Sequence, residues 1–219
     1  MSRSKFDPTF ERLPSTTPIF PLSGVLLLPG GKLPLNIFEP RYLAMTRDAL
    51  AGERIVGMVQ PLEGQVEASV PEVYSLGCAG RITSFAETDD GRYEITLSGL
   101  CRFDIAREIE PVNGYRRVIP NFAPYRGDYE EAQSGVIDRK RLVDALRQYF
   151  KLQNIDADWK AIQSTPDERL VTTLAMVCPF EPSEKQALLQ SPNLAERGRV
   201  MTALFEMAAL GTKGGEARH

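Results

Sequence analysis

The sequence predicts an α+β protein, in which a β-rich N-terminal part with one short helix is followed by an α-helical part. Three observations predict it. Between Pro18 and Phe38, three short apolar runs are cut by prolines and glycines. Runs far below the roughly ten uninterrupted residues a helix needs read as strands. From Val73 to Asn121, strand-like segments are separated by Asp-Gly and Asn-Gly pairs, which are strong hairpin signals. Beyond Pro124, apolar residues recur at helical spacing and N-terminal capping signals appear.

The opening runs are Ile19–Leu22, Val25–Leu28 and Leu33–Phe38. Pro21, Pro29 and Pro34 each remove a backbone donor, which assigns these strands to edges or bends. Gly24, Gly30 and Gly31 permit the positive φ of tight turns. Pro40 suits a first helical position, and Tyr42, Met45 and Ala49 follow at i, i+3 and i+7, so a short amphipathic helix should lie on the sheet. Ala51-Gly52 closes it, and Arg54–Gln60 reads as a strand. Pro61–Pro71 is a polar loop of a length that often overhangs a binding surface.

The next strands are Leu76–Glu87 and Arg92–Leu97 around Asp89-Asp90-Gly91. Tyr93, Ile95 and Leu97 alternate with polar residues, giving one buried face and one wet face. Gly99 separates these from a strand over Leu100–Ile109, and Asn113-Gly114 turns the chain into Tyr115–Ile119. Such a meander should curl onto the opening strands and hide its edges.

In the helical part, Val136–Phe150 carries Leu142, Val143, Leu146, Tyr149 and Phe150 at helical spacing, and Ile155, Trp159 and Ile162 repeat the pattern. Thr165-Pro166-Asp167-Glu168 reads as a capping box opening a helix to about Val177, which Pro179 ends. Ser183-Glu184-Lys185-Gln186 reads as a second box, for a short helix through Gln190. Ser191-Pro192 opens a last helix to Leu210, with Gly211 as its stop. Gly198 inside that helix costs about 1 kcal/mol relative to alanine, which marks a close contact.

The stretch PIFPLSGVLLLPGGKLPLNIFEPRY from Pro18 resembles the opening of the Lon N-terminal domain, the substrate-binding domain at the front of ATP-dependent Lon proteases. A second block, Pro179-Phe180-Glu181-Pro182-Ser183-Glu184-Lys185-Gln186-Ala187-Leu188-Leu189, resembles the late segment of that domain, which carries a Lys-Gln-x-Leu-Leu sequence. The resemblance runs over most of the chain, roughly Pro18 to Leu210, and is to the stand-alone bacterial members that lack ATPase and protease domains. It implies a PUA-like pseudo-barrel followed by a helical lobe. The divisions expected are a flexible tail over 1–16, a β-rich lobe over 17–125, a helical lobe over 126–211 and a flexible tail over 212–219. It also implies a non-enzymatic adaptor or chaperone-like module that binds unfolded or apolar polypeptide segments or a protein partner.

Composition limits the alternatives. A chain of 219 residues buries roughly 70% of its unfolded surface without needing a disulfide or metal staple. Its 26 basic and 29 acidic residues give a net charge of −3, so no global attraction to nucleic acid is expected. An RNA-binding role for the PUA-like lobe rests only on Arg116-Arg117 near Tyr115 and Tyr125. Cys78, Cys101 and Cys178 are odd in number and widely spaced, which fits a reducing, cytoplasmic setting. No secretory signal or membrane-spanning run is expected. A homo-oligomer is left open.

Chemistry is sparse. The single histidine is His219, the last residue, which leaves no credible base for a Ser-His-Asp, Cys-His or H-E-x-x-H site. No catalytic residue, cofactor site or metal site is expected. The Gly24 to Lys32 stretch imitates a phosphate loop, but Pro29 lacks an N–H and Leu33 lacks the needed hydroxyl. Arg139-Lys140-Arg141 reads as the wet face of a helix. For partner binding, the candidates are Leu27, Leu28, Phe38 and Arg41, each with a competing structural role. The three apolar residues suit a core, and Arg41 with Glu39 suits a charged helix start.

Overall fold

The computed structural model describes residues 4–64, 70–129 and 137–215. Six strands, β1 (Thr17–Pro21), β2 (Lys32–Ile37), β3 (Ile55–Val59), β4 (Leu76–Glu87), β5 (Tyr93–Val112) and β6 (Tyr115–Asn121), form one mixed sheet with helix α1 (Pro40–Ala51) beside it. The order is β2-β5-β4-β3-β1-β6, and β6 also pairs with β5, so β1, β3, β4, β5 and β6 close into a ring. Only β1 and β3 run parallel, with Ile19 opposite Gly57.

Strand β5 is the hub. One edge carries β4, from Tyr93 opposite Glu87 to Asp104 opposite Leu76. Its other edge is shared: β2 takes Tyr93 to Ser98 and β6 takes Asp104 to Val112. Contrary to the expectation from the sequence, Gly99 therefore does not separate two strands: β5 runs through it from Tyr93 to Val112. The register shifts there, with Ala79 opposite Cys101 but Gly80 opposite Gly99, and a Cβ on Gly99 would lie 2.0 Å from the Leu28 carbonyl oxygen. The glycine is needed for close approach at a bulge, not for a turn.

The partner in that approach corrects a second expectation. Val25–Leu28 is not a strand; it is an irregular segment whose Leu26, Leu27 and Leu28 side chains enter the core. Its continuation is pinned by hydrogen bonds from Gly30 N–H to the Gly99 carbonyl and from Gly99 N–H to the Gly31 carbonyl, both 2.9 Å. Positive φ at Gly24 (71°) and Gly30 (76°) lets the chain turn in and out.

Five more helices follow: α2 (Arg139–Leu152), α3 (Trp159–Ser164), α4 (Asp167–Val177), α5 (Pro182–Gln190) and α6 (Leu194–Gly215). The α2 stripe of Leu142, Val143, Leu146, Tyr149 and Phe150 is buried as the spacing predicts. Ile155, however, is exposed ahead of α3, Trp159 and Ile162 are only half-buried, Val177 at the end of α4 is exposed, and several helix ends differ. Asp138 caps α2 by accepting from Arg141 N–H at 3.0 Å, so the helix begins at Arg139, and Val136 lies outside the described residues. Thr165 does not cap α4: its hydroxyl turns back to the Ala161 carbonyl (2.7 Å) and closes α3. Before α5 the reciprocal pair sits two residues early, the Glu184 carboxylate accepting from Glu181 N–H at 2.8 Å. The last helix is capped by Asn193, which accepts from Glu196 N–H at 2.9 Å, and it passes Gly211 to end at Gly215. Gly198 does mark a close contact, because a Cβ there would meet Ile137 Cγ2 at 3.1 Å.

Two cores result. One fills the ring with Ile19, Val59, Leu100, Phe103 and Val118. The larger one is continuous across the β and helical parts, joining Leu27, Leu28, Met45 and Ile95 to Leu146, Val171, Leu188 and Phe205. Polar groups stitch the same boundary. Arg102 of β5 engages Asp128 through Nε and Nη2, and donates from Nη1 and Nη2 to the carbonyls of Leu189, Ser191 and Pro192 at and beyond the end of α5. Lys185 Nζ donates to the Gly24 carbonyl (2.7 Å), and Gln186 donates to the Leu76 carbonyl (3.2 Å). The Lys-Gln-x-Leu-Leu run is thus the seam of the molecule.

The N-terminal residues, expected as a loose tail, are docked from Asp7 onward. Asp7 pairs with Arg81 at 2.8 Å, and Phe10 packs edge-on against Tyr129.

Candidate functional site

Strand β2 ends the sheet order and has β5 as its sole strand partner among the described residues. Lys32, Pro34 and Asn36 are exposed along it, and Pro34 removes one donor, which guards the edge against indiscriminate pairing. The strand delivers Phe38 to the surface with 62% of it exposed. The β4–β5 hairpin projects beside it. The Arg92 guanidinium lies 5.9 Å from the Phe38 ring centroid, and Phe85 meets Tyr93 edge-on at 5.0 Å. Arg92 is held by Asp90 of the turn at 2.8 Å. Successive strand residues face opposite ways, so the pairs Phe38–Arg92 and Phe85–Tyr93 straddle the end of the sheet as an aromatic rim.

From this rim the chain enters α1 directly. Glu39 is extended at the N-cap position, Pro40 takes the first turn, and Arg41 is clamped to Glu39 (Nε to Oε2, 3.0 Å) with its guanidinium 4.6 Å over the Tyr42 ring. The Arg41 side chain remains 38% exposed. Of the four residues singled out in the sequence, Phe38 and Arg41 are each at the surface. Leu27 and Leu28 are corrected to the core, at 1% and 0% exposure. The bulge at Gly99 draws their backbone against β5 and turns both side chains inward.

The residues missed were Phe85, Arg92 and Tyr93. The available signal was their position: residues flanking an Asp-Gly turn lie near the tip of a hairpin, where Phe85 is partly exposed and Tyr93 only half-buried.

Other candidate sites are already occupied by internal contacts. Arg116 grips Glu108 through Nε and Nη2 (2.6 and 2.7 Å) and reaches the Pro71 carbonyl. Arg117 donates to the Glu110 carbonyl. Tyr115 and Tyr125 are pushed up to about 12, first by burial and then by their bonds to Asp48 and Asp104. The basic and aromatic mix behind the RNA reading is thus largely engaged in internal contacts. A polar hollow of about 340 Å³ is lined by Pro14, Ser15, Asp48, Glu53 and Arg117, with Asp48 already accepting from Tyr115 and Asn113. In the basic run, Arg139 is half-buried and turned inward: it caps the carbonyls of Ile162, Gln163 and Thr165 and pairs with Asp167. Among the described residues no cluster of His, Cys, Asp and Glu could hold a metal, and no helix is long and apolar enough to cross a membrane. His219 lies outside them.

Comparison with known proteins gives a consistent picture. The family model for the ATP-dependent protease La (LON) substrate-binding domain matches residues 16–205. Lon protease 2 of Myxococcus xanthus is 27% identical over 197 residues, which are 89% of this chain and 24% of that protein. Lon protease 2 of Sorangium cellulosum is 32% identical over 113 residues, 48% of this chain and 14% of that protein. The chain thus spans at most about a quarter of the length of these curated relatives. Among solved structures, a Lon N-terminal domain protein from Xanthomonas campestris superposes with a TM-score of 0.59 at 25% identity, covering 86% of this chain and 97% of that one. The N-terminal domain of the Mycobacterium avium complex Lon protease superposes at 0.61 and 19% identity, covering 87% and 98%, and shares the fold.

Proposed function

Because the chain belongs to the Lon substrate-binding domain family, we propose that it is a non-catalytic recognition module gripping unfolded or apolar polypeptide segments, or a protein partner, at its aromatic rim. The observation that carries this is the placement of Phe38 and Phe85, 62% and 38% exposed, around the end of the sheet. Covering a phenylalanine side chain contributes roughly 1.5–3 kcal/mol. Two such anchors, with Arg92 against Phe38, suit an apolar segment with polar neighbours. A non-catalytic role is supported by the match being to the substrate-binding domain alone. Three buried, free cysteines support a reducing, cytoplasmic setting. In this reading residues 17–125 form a β-rich lobe and 126–211 a helical lobe, joined across the Arg102 clasp.

The test is a titration with a reduced, carboxymethylated model protein that stays unfolded. Saturable binding in the low micromolar range is expected, weakened at least tenfold by Phe38→Ser with Phe85→Ser. No saturation, or binding indifferent to the double substitution, overturns the proposal.

A further inference from the structure

The segment from Ser4 to Leu13 lies on the molecule without joining its backbone. Among the described residues its main-chain hydrogen bonds are local: Asp7 N–H to the Ser4 carbonyl, Arg12 N–H to Thr9, and Leu13 N–H to Phe10. Side chains do the attaching. The Asp7 carboxylate accepts from Arg81 Nε at 2.8 Å, with both side chains nearly buried. Glu11 accepts from Arg126 Nη2 at 2.8 Å, and the Arg126 guanidinium lies 4.7 Å over the Phe10 ring. Phe10 stands edge-on to Tyr129 at 5.5 Å, and Phe10 and Leu13 pack with Val73, Ile105, Tyr125 and Tyr129 on the core of the ring.

We propose that the surface under this segment is a docking site for another polypeptide carrying an acidic residue followed, three and four positions on, by an aromatic and a second acidic residue, and that residues 4–13 occupy it in cis. The chemistry is written in the occupant. Two arginines from separate elements, β4 and the turn Ala123–Tyr129, meet Asp7 and Glu11, and an aromatic wall between them takes Phe10. A strand built into the sheet would be costly to remove. A strap held only by side chains is not, because its exposed Glu11–Arg126 pair contributes little and one buried pair with one ring carry the rest. Tethering gives the strap a millimolar effective concentration, so a free competitor meets a site largely shut. No residue of the aromatic rim takes part, so failure of rim binding leaves this site standing, and the reverse also holds.

The test uses the full chain with Asp7→Ser and Phe10→Ala, which loosen the strap and leave Arg81, Arg126 and Tyr129 in place. The probe is a labelled synthetic peptide of residues 4–13, followed by fluorescence anisotropy. At least tenfold tighter binding is expected to the altered chain than to the unaltered one. Adding Arg81→Gln should remove the gain, and a peptide carrying the same two substitutions should bind at least tenfold more weakly. Equal binding to both chains, or no saturation with either, overturns the proposal. So does a dimer of the unaltered chain by light scattering, which would mean that straps are exchanged between copies. Should the altered chain not fold, hydrogen exchange on the unaltered chain decides. With millimolar peptide, the amides of Asp7, Arg12 and Leu13 should exchange faster; unchanged exchange overturns the proposal.

Discussion

Gly99 and Leu28 touch backbone to backbone: a Cβ on Gly99 would sit 2.0 Å from the Leu28 carbonyl oxygen and 2.8 Å from its carbon. The obstacle is main chain on both sides, so no rotamer relieves it. Gly99→Ala should therefore destabilise by about 3 kcal/mol, at the upper end of overpacking costs. A urea midpoint within error of the parent would contradict this. Gly91→Ala, at a turn with open space but φ of 81°, should cost only about 1 kcal/mol.

The Arg102–Asp128 pair should be the polar contact most costly to break. Its side chains are 6% and 9% exposed, and the guanidinium also serves three carbonyls at and beyond the end of α5. Arg197 stands close by, its pKa pushed down to about 10 by burial first and by Arg102 second. Truncation as Arg102→Ala should cost about 3–5 kcal/mol. Arg102→Lys should recover little, because an ammonium cannot reproduce the planar fork. Equilibrium denaturation measures both, and full rescue by lysine would contradict the geometry.

Stability should fall at alkaline pH. Burial pushes the Cys178 thiol from 9.0 up to about 12, and Tyr115 and Tyr125 from 10.0 to about 12. A group with a raised folded pKa contributes stability that is complete below its unfolded value and is lost as pH rises through the folded one. Unfolding free energy should hold to about pH 9 and decline between 9 and 12. Lys185 and Arg197, both pushed down first by burial, act in the opposite sense but are two groups against several. Cys178→Ala should flatten the decline in pH-resolved melts. The three cysteines, all buried, should react with a thiol reagent only at the rate of opening.

Rim substitutions should separate binding from folding. Phe38 is mostly exposed, so Phe38→Ser should shift stability by less than about 0.5 kcal/mol while weakening polypeptide binding. Leu28→Ala, by contrast, should cost about 2–5 kcal/mol. If Phe38→Ser unfolds the chain, Phe38 belongs to the core and not to a contact surface.

How much of this was legible in the sequence depended on range. Tyr42, Met45 and Ala49 declared the buried face of α1, and Asp90-Gly91 declared the hairpin, because both are decided within a few residues. Gly99 was misread because a glycine that ends a strand and one that admits a distant carbonyl look alike in one dimension. Val25–Leu28 had the composition of a strand, and only the bulge in β5 makes it an irregular plug. Thr165 offered a capping signal to α4, but the C-terminus of α3 competed for the same hydroxyl and won. Phe38 and Arg41 could be nominated from their place at a strand-to-helix junction. Phe85 and Tyr93 join them only through pairing across the hairpin.

The closure of β1 onto β6 joins Thr17 to Val118, so during synthesis the first strand emerges long before its second neighbour exists. At ribosomal rates of ~5–20 residues per second, the interval is on the order of several seconds. Throughout it, the edge of β1 that β6 covers in the finished sheet has no strand to pair with. Exposure to chaperones and proteases is therefore set by the timing of translation through Asn121, and a slow codon run there would prolong it without changing the finished molecule.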